Sequence, residues 1–241
     1  MSLIGTHTAI VSLGMSCQSA HQIRLHAKLI STCLKNGEAL DASRLPFDWL
    51  ICPPSSVLKI LESGRFFPDH RDALELDHAP YWRDYHTYFW HDFLDEDRRY
   101  DLSLDFQGTR DKYERLAEKF RALSKMQRLV FVISNSQNNL DVVADRTQAL
   151  TPGMTAWQIE ELCDATDQFF GRRCEYLVVS YADRLDRSPA RRNVNVFSIG
   201  KDPSEWRGEP DTWARVFTEY FETWPETRPF LSSHGTDQSI V

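Results

Sequence analysis

Four short apolar runs constrain this chain more than anything else in it: Ala9 to Leu13, Leu129 to Ser134, Tyr176 to Tyr181 and Val194 to Ile199. Each is rich in Val, Ile, Leu or Phe and bounded by turn residues, without the polar alternation of a strand that faces water on one side. A strand apolar on both sides has to be covered on both sides, and crossover helices supply that cover. The expected fold class is therefore α/β: an open, mostly parallel sheet with helices on both faces.

The helices are readable between the strands. Thr109 to Ser124 places Tyr113, Leu116, Ala117, Phe120 and Leu123 on one stripe. Thr155 to Phe170 opens with a Thr-x-x-Gln capping box and is closed by Gly171. Ser55 or Ser56 is the expected cap of a helix ending at Gly64, and Asp211 of one carrying Trp213, Val216, Phe217 and Phe221. The exception is an aromatic, acidic stretch over about 68–104, read as an inserted strand or hairpin. Within it "YHTYFWHDF" alternates and puts Thr87, Phe89, His91 and Phe93 on one face. The expected organisation is one domain over 1–226 with that insertion, and a polar tail over 227–241.

Composition narrows the function classes. With 41% hydrophobic and 26% charged residues the 241-residue chain has a globular balance, and a net charge of -7 disfavours a nucleic-acid partner. No run of about 18 apolar residues marks a membrane span, and the first residues lack a basic, then apolar, export signal. The expectation is a cytoplasmic protein without membrane or nucleic-acid partner. The five cysteines (17, 33, 52, 163 and 174) form no CxxC pair, so neither a disulfide framework nor a zinc site is signalled. "SLGMSC" lacks the further glycines of a dinucleotide fingerprint, and no cofactor is expected.

In open parallel sheets ligands bind beyond the carboxyl ends of the strands, beside helix N-termini. "IVSLGMSCQSAH" brings Gly14, Ser16 and Cys17 to that place. With Ser16 as N-cap, Cys17 becomes the first helical residue, where amides and the helix dipole favour a thiolate. Cys17 is equally a small apolar packing residue at a strand-to-helix junction. His91 is the candidate base, with His21, one turn beyond Cys17, as its rival. In "RLPFDWL" Asp48 stands between Phe47 and Trp49, where it orients a histidine, caps a helix or pairs with Arg44; Asp92, next to His91, is the other candidate acid. Trp49 and the "SNSQNN" residues Ser134 and Asn135 complete the expected crevice, although turn formation also explains the latter. Cys33, Cys52, Cys163 and Cys174 read as packing residues.

The succession "VSLGMSCQSAHQIR", "LPFDWL" and "HDF" resembles a family of mainly bacterial proteins described as predicted papain-like cysteine peptidases. The likeness is clearest over Ser12 to Leu61 and extends weakly to Ile133. It implies Cys17 as nucleophile, His91 as base, and Asp48 or Asp92 as the orienting acid. The parallel sheet read above differs from the helix-plus-barrel layout that the papain-like label implies. Nor does a glutamine stand shortly before Cys17, so its own backbone amide is the expected oxyanion donor. The first functional expectation is a cysteine-dependent hydrolase or acyl transferase acting on a small-molecule or peptide substrate. The alternative is a ligand-binding domain handling sugars or nucleotide sugars, in which Cys17 only packs and Asp48, His91, Asn135 and the insertion's aromatics, Tyr81, Trp82, Tyr85, Tyr88 and Trp90, line the pocket.

Overall fold

The computed structural model describes residues 7–34, 38–138, 140, 151–201 and 206–223; the expected tail over 227–241 lies outside them. Strand β1 (His7–Ser12) leads into α1 (Gln18–Leu25) and α2 (Ala27–Cys33), then a short β2 (Ala39–Asp41). A 3-10 turn (Pro46–Trp49) and α3 (Pro54–Ser63) follow. Three short strands come next, β3 (Leu74–Leu76), β4 (Pro80–Trp82) and β5 (Thr87–Tyr88), and then α4 (Phe106–Ala122). The chain continues through β6 (Arg128–Ser134), α5 (Ala156–Phe170), β7 (Glu175–Tyr181), β8 (Val194–Ile199) and α6 (Pro210–Thr223).

The main sheet runs β2-β1-β6-β7-β8, and every adjacent pair is parallel. The four apolar runs are its four long strands. Their residues alternate between two cores, as the pleat requires. Ala9, Val11, Phe131, Ile133, Tyr176 and Val178 face α3, α4, α5 and the inserted sheet. Ile10, Val130, Val132, Leu177 and Val179 face α1, α2 and α6. The first core is dominated by rings: Phe120 of α4 is fully buried and meets Phe47, Phe66, Phe131, Phe169 and Phe170.

The insertion is a small antiparallel sheet, β3-β4-β5, rather than one long strand. The expected alternation through His91 stops at Tyr88. Asp92 N closes a turn on Phe89 O at 3.2 Å, and Phe93 takes a left-handed conformation (φ 59). His91 is left exposed at that turn, while Phe89 and Phe93 are buried. Three of the insertion's aromatics are core, since Trp82 stacks on Tyr85 with centroids 3.8 Å apart and Tyr88 is 1% exposed, while Tyr81 and Trp90 are half-buried.

Helix starts differ from the sequence reading where backbone chemistry outranks side-chain caps. Helix α3 begins at Pro54, whose missing N–H suits a first turn, with Pro53 and not a serine as its N-cap. Asp105 caps α4 through Gly108 N at 2.7 Å, so the helix begins at Phe106, three residues before the expected Thr109. Asp211 lies inside α6, and Glu209 accepts from the amides of Asp211 and Thr212. The Thr155–Gln158 capping box and the left-handed Gly64 and Gly171 stops are as expected. Among the described residues no helix is long and apolar enough to cross a membrane.

Candidate functional site

In a doubly wound sheet the crevice opens where the strand order reverses, because adjacent connections there leave to opposite faces. Here that point lies between β1 and β6. Leu13 N still bonds Val132 O at 2.9 Å, and then the chain swings away through Gly14 (φ 83) and Met15 (φ 65). A Cβ at Gly14 would stand 3.1 Å from Cys52 O and 3.2 Å from Val57 Cγ2, so glycine is required by both conformation and space. Met15 has a side chain and still adopts the left-handed region, a local strain of the kind found at functional turns.

Cys17 follows, and it is itself the N-cap of α1, in a helical conformation with no side-chain cap bond. This corrects the expectation that Ser16 caps the helix. The Ser16 hydroxyl is fully buried and, among the described residues, has no hydrogen-bond partner. The thiol is 7% exposed and points to Gln137 Oε1 at 3.6 Å. Loss of hydration pushes it up to about 11, against the opposing pull of its own backbone amide and of Arg24. The expected thiolate at the helix mouth is therefore a neutral thiol at rest. Desolvation outweighs the helix end because the thiol is buried against the Gln137 side chain of the loop after β6.

The loop after β6 lies beside this turn. Ser134 Oγ meets Ser136 Oγ at 2.8 Å, Ser136 donates to Gln18 Oε1 at 2.5 Å, and Ser12 Oγ meets Ser19 Oγ at 2.7 Å. Asn135 donates to the carbonyls of Pro152 and Arg184 at 2.8 and 3.0 Å. These side chains, expected to face a ligand, are occupied in holding the loop. On the other side of α1, Gln18 donates to Trp206 O at 2.9 Å and Gln22 to Arg207 O at 2.6 Å, while the His21 ring packs 5.7 Å from Trp206. Residues 206–208 thus form a strap over α1.

Three chain segments line up beyond the sheet. Cys52 bonds Met15 in both directions (2.8 and 3.4 Å), and Ile51 bonds Tyr88 in both directions (3.2 and 2.9 Å). Leu50 to Cys52 is therefore a central rung, with Cys17 leaving on one side and His91 on the other. The 3-10 turn just before it presents Asp48 and Trp49. The His91 ring stands edge-on to Trp49 with centroids 4.9 Å apart. Although the residue is exposed, the partial loss of hydration around its ring, together with the positive charges of Arg98 and Lys112, holds its pKa below the usual histidine value, while Asp92 pulls the other way.

Neither candidate acid is turned to a histidine. Asp48, 3% exposed, gives Oδ2 to Arg24 Nη1 at 2.8 Å and to Leu45 N at 3.2 Å. Burial raises its pKa to about 6 although Arg24 and Leu45 N oppose it. Asp92 gives Oδ1 to Lys112 and Oδ2 to Tyr113 at 2.9 Å. Both carboxylates are engaged instead by Arg24 of α1 and by Lys112 and Tyr113 of α4. The residue that the sequence reading missed is Arg24. It lies seven positions after Cys17, two turns on along the same face, and side chains on a helix lean toward its N-terminus. That spacing was the available signal. Among the described residues no group of His, Cys, Asp or Glu is arranged to hold a metal ion.

Compared with known protein families, with curated proteins and with solved structures, the chain has no match.

Proposed function

We propose that the protein is a cysteine-dependent hydrolase or acyl transferase in which Cys17 is the nucleophile and His91 carries its proton. The observation that carries this reading is the position of Cys17: at the reversal of strand order, behind a strained Gly14–Met15 turn, with its sulfur against its own backbone amide. A thiol raised to about 11 is unreactive alone and needs a base. An imidazole held below its usual pKa is neutral near neutral pH and can accept that proton. Cys17 and His91 follow segments bonded to the same rung, through Met15 and Cys52 for the first and Tyr88 and Ile51 for the second.

In the forward step the sulfur bonds to the acyl carbon as its proton passes to His91. The carbonyl oxygen takes up the electron pair against the amides at the start of α1. Collapse expels the leaving group, which receives the proton from His91 and leaves a thioester. Water, or another acceptor, deprotonated by His91 then attacks that carbon and frees the thiol. Trp49, by packing against the ring, takes the orienting part that neither Asp48 nor Asp92 supplies.

The test is alkylation by iodoacetamide, mapped by mass spectrometry. Cys33 is the internal reference because it is the most exposed of the five thiols. Cys17 is expected to react faster than Cys33 despite its burial, and His91→Ala to slow it by on the order of a hundredfold, the lower end of general-base effects. Labelling of Cys33 with Cys17 untouched in the native chain overturns the proposal. One observation favours the ligand-binding alternative, namely the resting thiol's burial and raised pKa; a Cys17→Ser variant with undiminished turnover of an identified substrate would decide for it.

A further inference from the structure

The surface beside Cys17 carries a charge opposite to that of the molecule. Trp49 is half-buried, and the Arg24 guanidinium carbon lies 4.7 Å from its ring centroid and that of Arg44 6.0 Å away. His91 closes the third side at 4.9 Å. The one carboxylate inside this group is Asp48, which is buried, bonded to a single amino nitrogen of Arg24 and also within reach of the charge of Arg44. The other amino nitrogen of Arg24, Nη2, is buried without a hydrogen-bond partner among the described residues. Arg44 is exposed and takes part in none of the ion pairs found among them. The charge of Arg98 also reaches His91, whereas that of Lys112 is matched by Asp92. Positive charge therefore exceeds negative around Trp49, in a chain whose net charge is -7.

We infer that Trp49, Arg24 and Arg44 form a subsite for an oxyanion, a carboxylate or phosphate group borne by the substrate next to the acyl group that Cys17 attacks. This rests on the reading of Cys17 given above. A guanidinium offers its donors in a planar fork that matches two oxygens of such a group, and it is less strongly hydrated than an ammonium, so it gives up water more readily. An unmet buried donor is costly, and a ligand oxygen that reaches Nη2 removes that cost. The indole between the two cations holds their guanidinium planes in place for the ligand. A local positive field on a negatively charged protein also draws anions to this mouth and not to the rest of the surface.

The experiment compares two reagents that differ in charge and share a leaving group. Iodoacetate and iodoacetamide both form a carbon–sulfur bond at Cys17 and release iodide, the thiol proton passing to base or solvent. Their rate ratio is referred to N-acetylcysteine amide, a neutral free thiol. A guanidinium within about 8 Å of the incoming carboxylate favours it by on the order of fivefold. Because Asp48 offsets the charge of Arg24, the ratio at Cys17 is expected to exceed the reference about fivefold, the share of Arg44, and to fall back to about the reference in Arg44→Gln, which leaves the Arg24–Asp48 pair in place. Inorganic phosphate and succinate, added separately at low salt, are expected to slow Cys17 competitively, and the stronger of the two tells which oxyanion is preferred.

A ratio equal to the reference at a reactive Cys17 overturns the subsite and leaves the hydrolase reading standing. An inert Cys17 overturns the hydrolase reading, and calorimetric titration with phosphate and with succinate then tests the subsite alone. Binding that Arg44→Gln weakens upholds it, and no heat with either anion overturns it.

Discussion

Asp48 is the point at which two opposing electrostatic effects can be weighed against each other. Its carboxylate has lost almost all of its water, which favours the protonated form, and it faces a guanidinium at 2.8 Å, which favours the ionised one. The balance falls to desolvation, with a pKa near 6 against an ordinary 3.8. A folded-state pKa above the unfolded one means that the native state binds the proton more tightly. Stability then falls as pH rises from about 4 to about 6 and levels off above that. A difference of about 2.2 at 1.36 kcal/mol each makes the loss about 3 kcal/mol.

Asp48→Asn cannot ionise and removes this dependence. Urea unfolding of both proteins, at intervals from about pH 4 to about pH 7.5, should show the variant gaining about 3 kcal/mol on the wild type across that window, with equal denaturant slopes. Taking the difference cancels the other shifted groups, Glu175, Asp95, Asp101, Asp183, His26 and His91, which titrate alike in both. A flat difference, or one in which the wild type gains as pH rises, would refute the reasoning. The second result would mean that the Arg24 pair outweighs the lost hydration.

Two further substitutions probe the frame around the site. Gly14→Ala forces a left-handed alanine against Cys52 O and Val57, and should cost about 2 kcal/mol or more while slowing alkylation of Cys17; an unchanged melting temperature would contradict the required close approach. Phe120→Ala empties the centre of the ring cluster and should lower stability by about 3–5 kcal/mol in urea, whereas a loss under about 1 kcal/mol would show that the neighbouring rings collapse into the gap.

What the sequence disclosed and what it withheld divide along one physical line. The strands and most helices were readable because their signals are local and repeated. The run Leu129 to Ser134 cannot be covered other than on both faces, and Thr155, Gln158 and Gly171 mark their helix ends within a turn. Gly14 and Cys17 fall at the turn between β1 and α1 as expected, because these elements are adjacent in the chain, although Cys17 is the N-cap and not the first helical residue. The short β2 was missed, since three residues carry too little pattern. The bend at His91 was missed because Asp92 is drawn inward by Lys112 and Tyr113, about twenty positions on. The ionisation state of Cys17 was misjudged for the same reason: local position favoured a thiolate, while burial against Gln137, 120 positions on, reversed it. Pairings across the chain, such as Arg24 with Asp48, have no periodicity to announce them.

The way α1 is seated has a mechanical consequence. A helix resting on an oily stripe can roll by several degrees at little cost, since dispersion contacts are short in range but indifferent to direction. Gln18, Ser19 and Gln22 replace that stripe with bonds to fixed carbonyls and hydroxyls at both flanks, and each has an angle to keep. Rolling α1 would break several of them together. The first helix behaves as a keyed shaft, and the sulfur at its tip inherits an alignment that no amount of hydrophobic packing would have imposed.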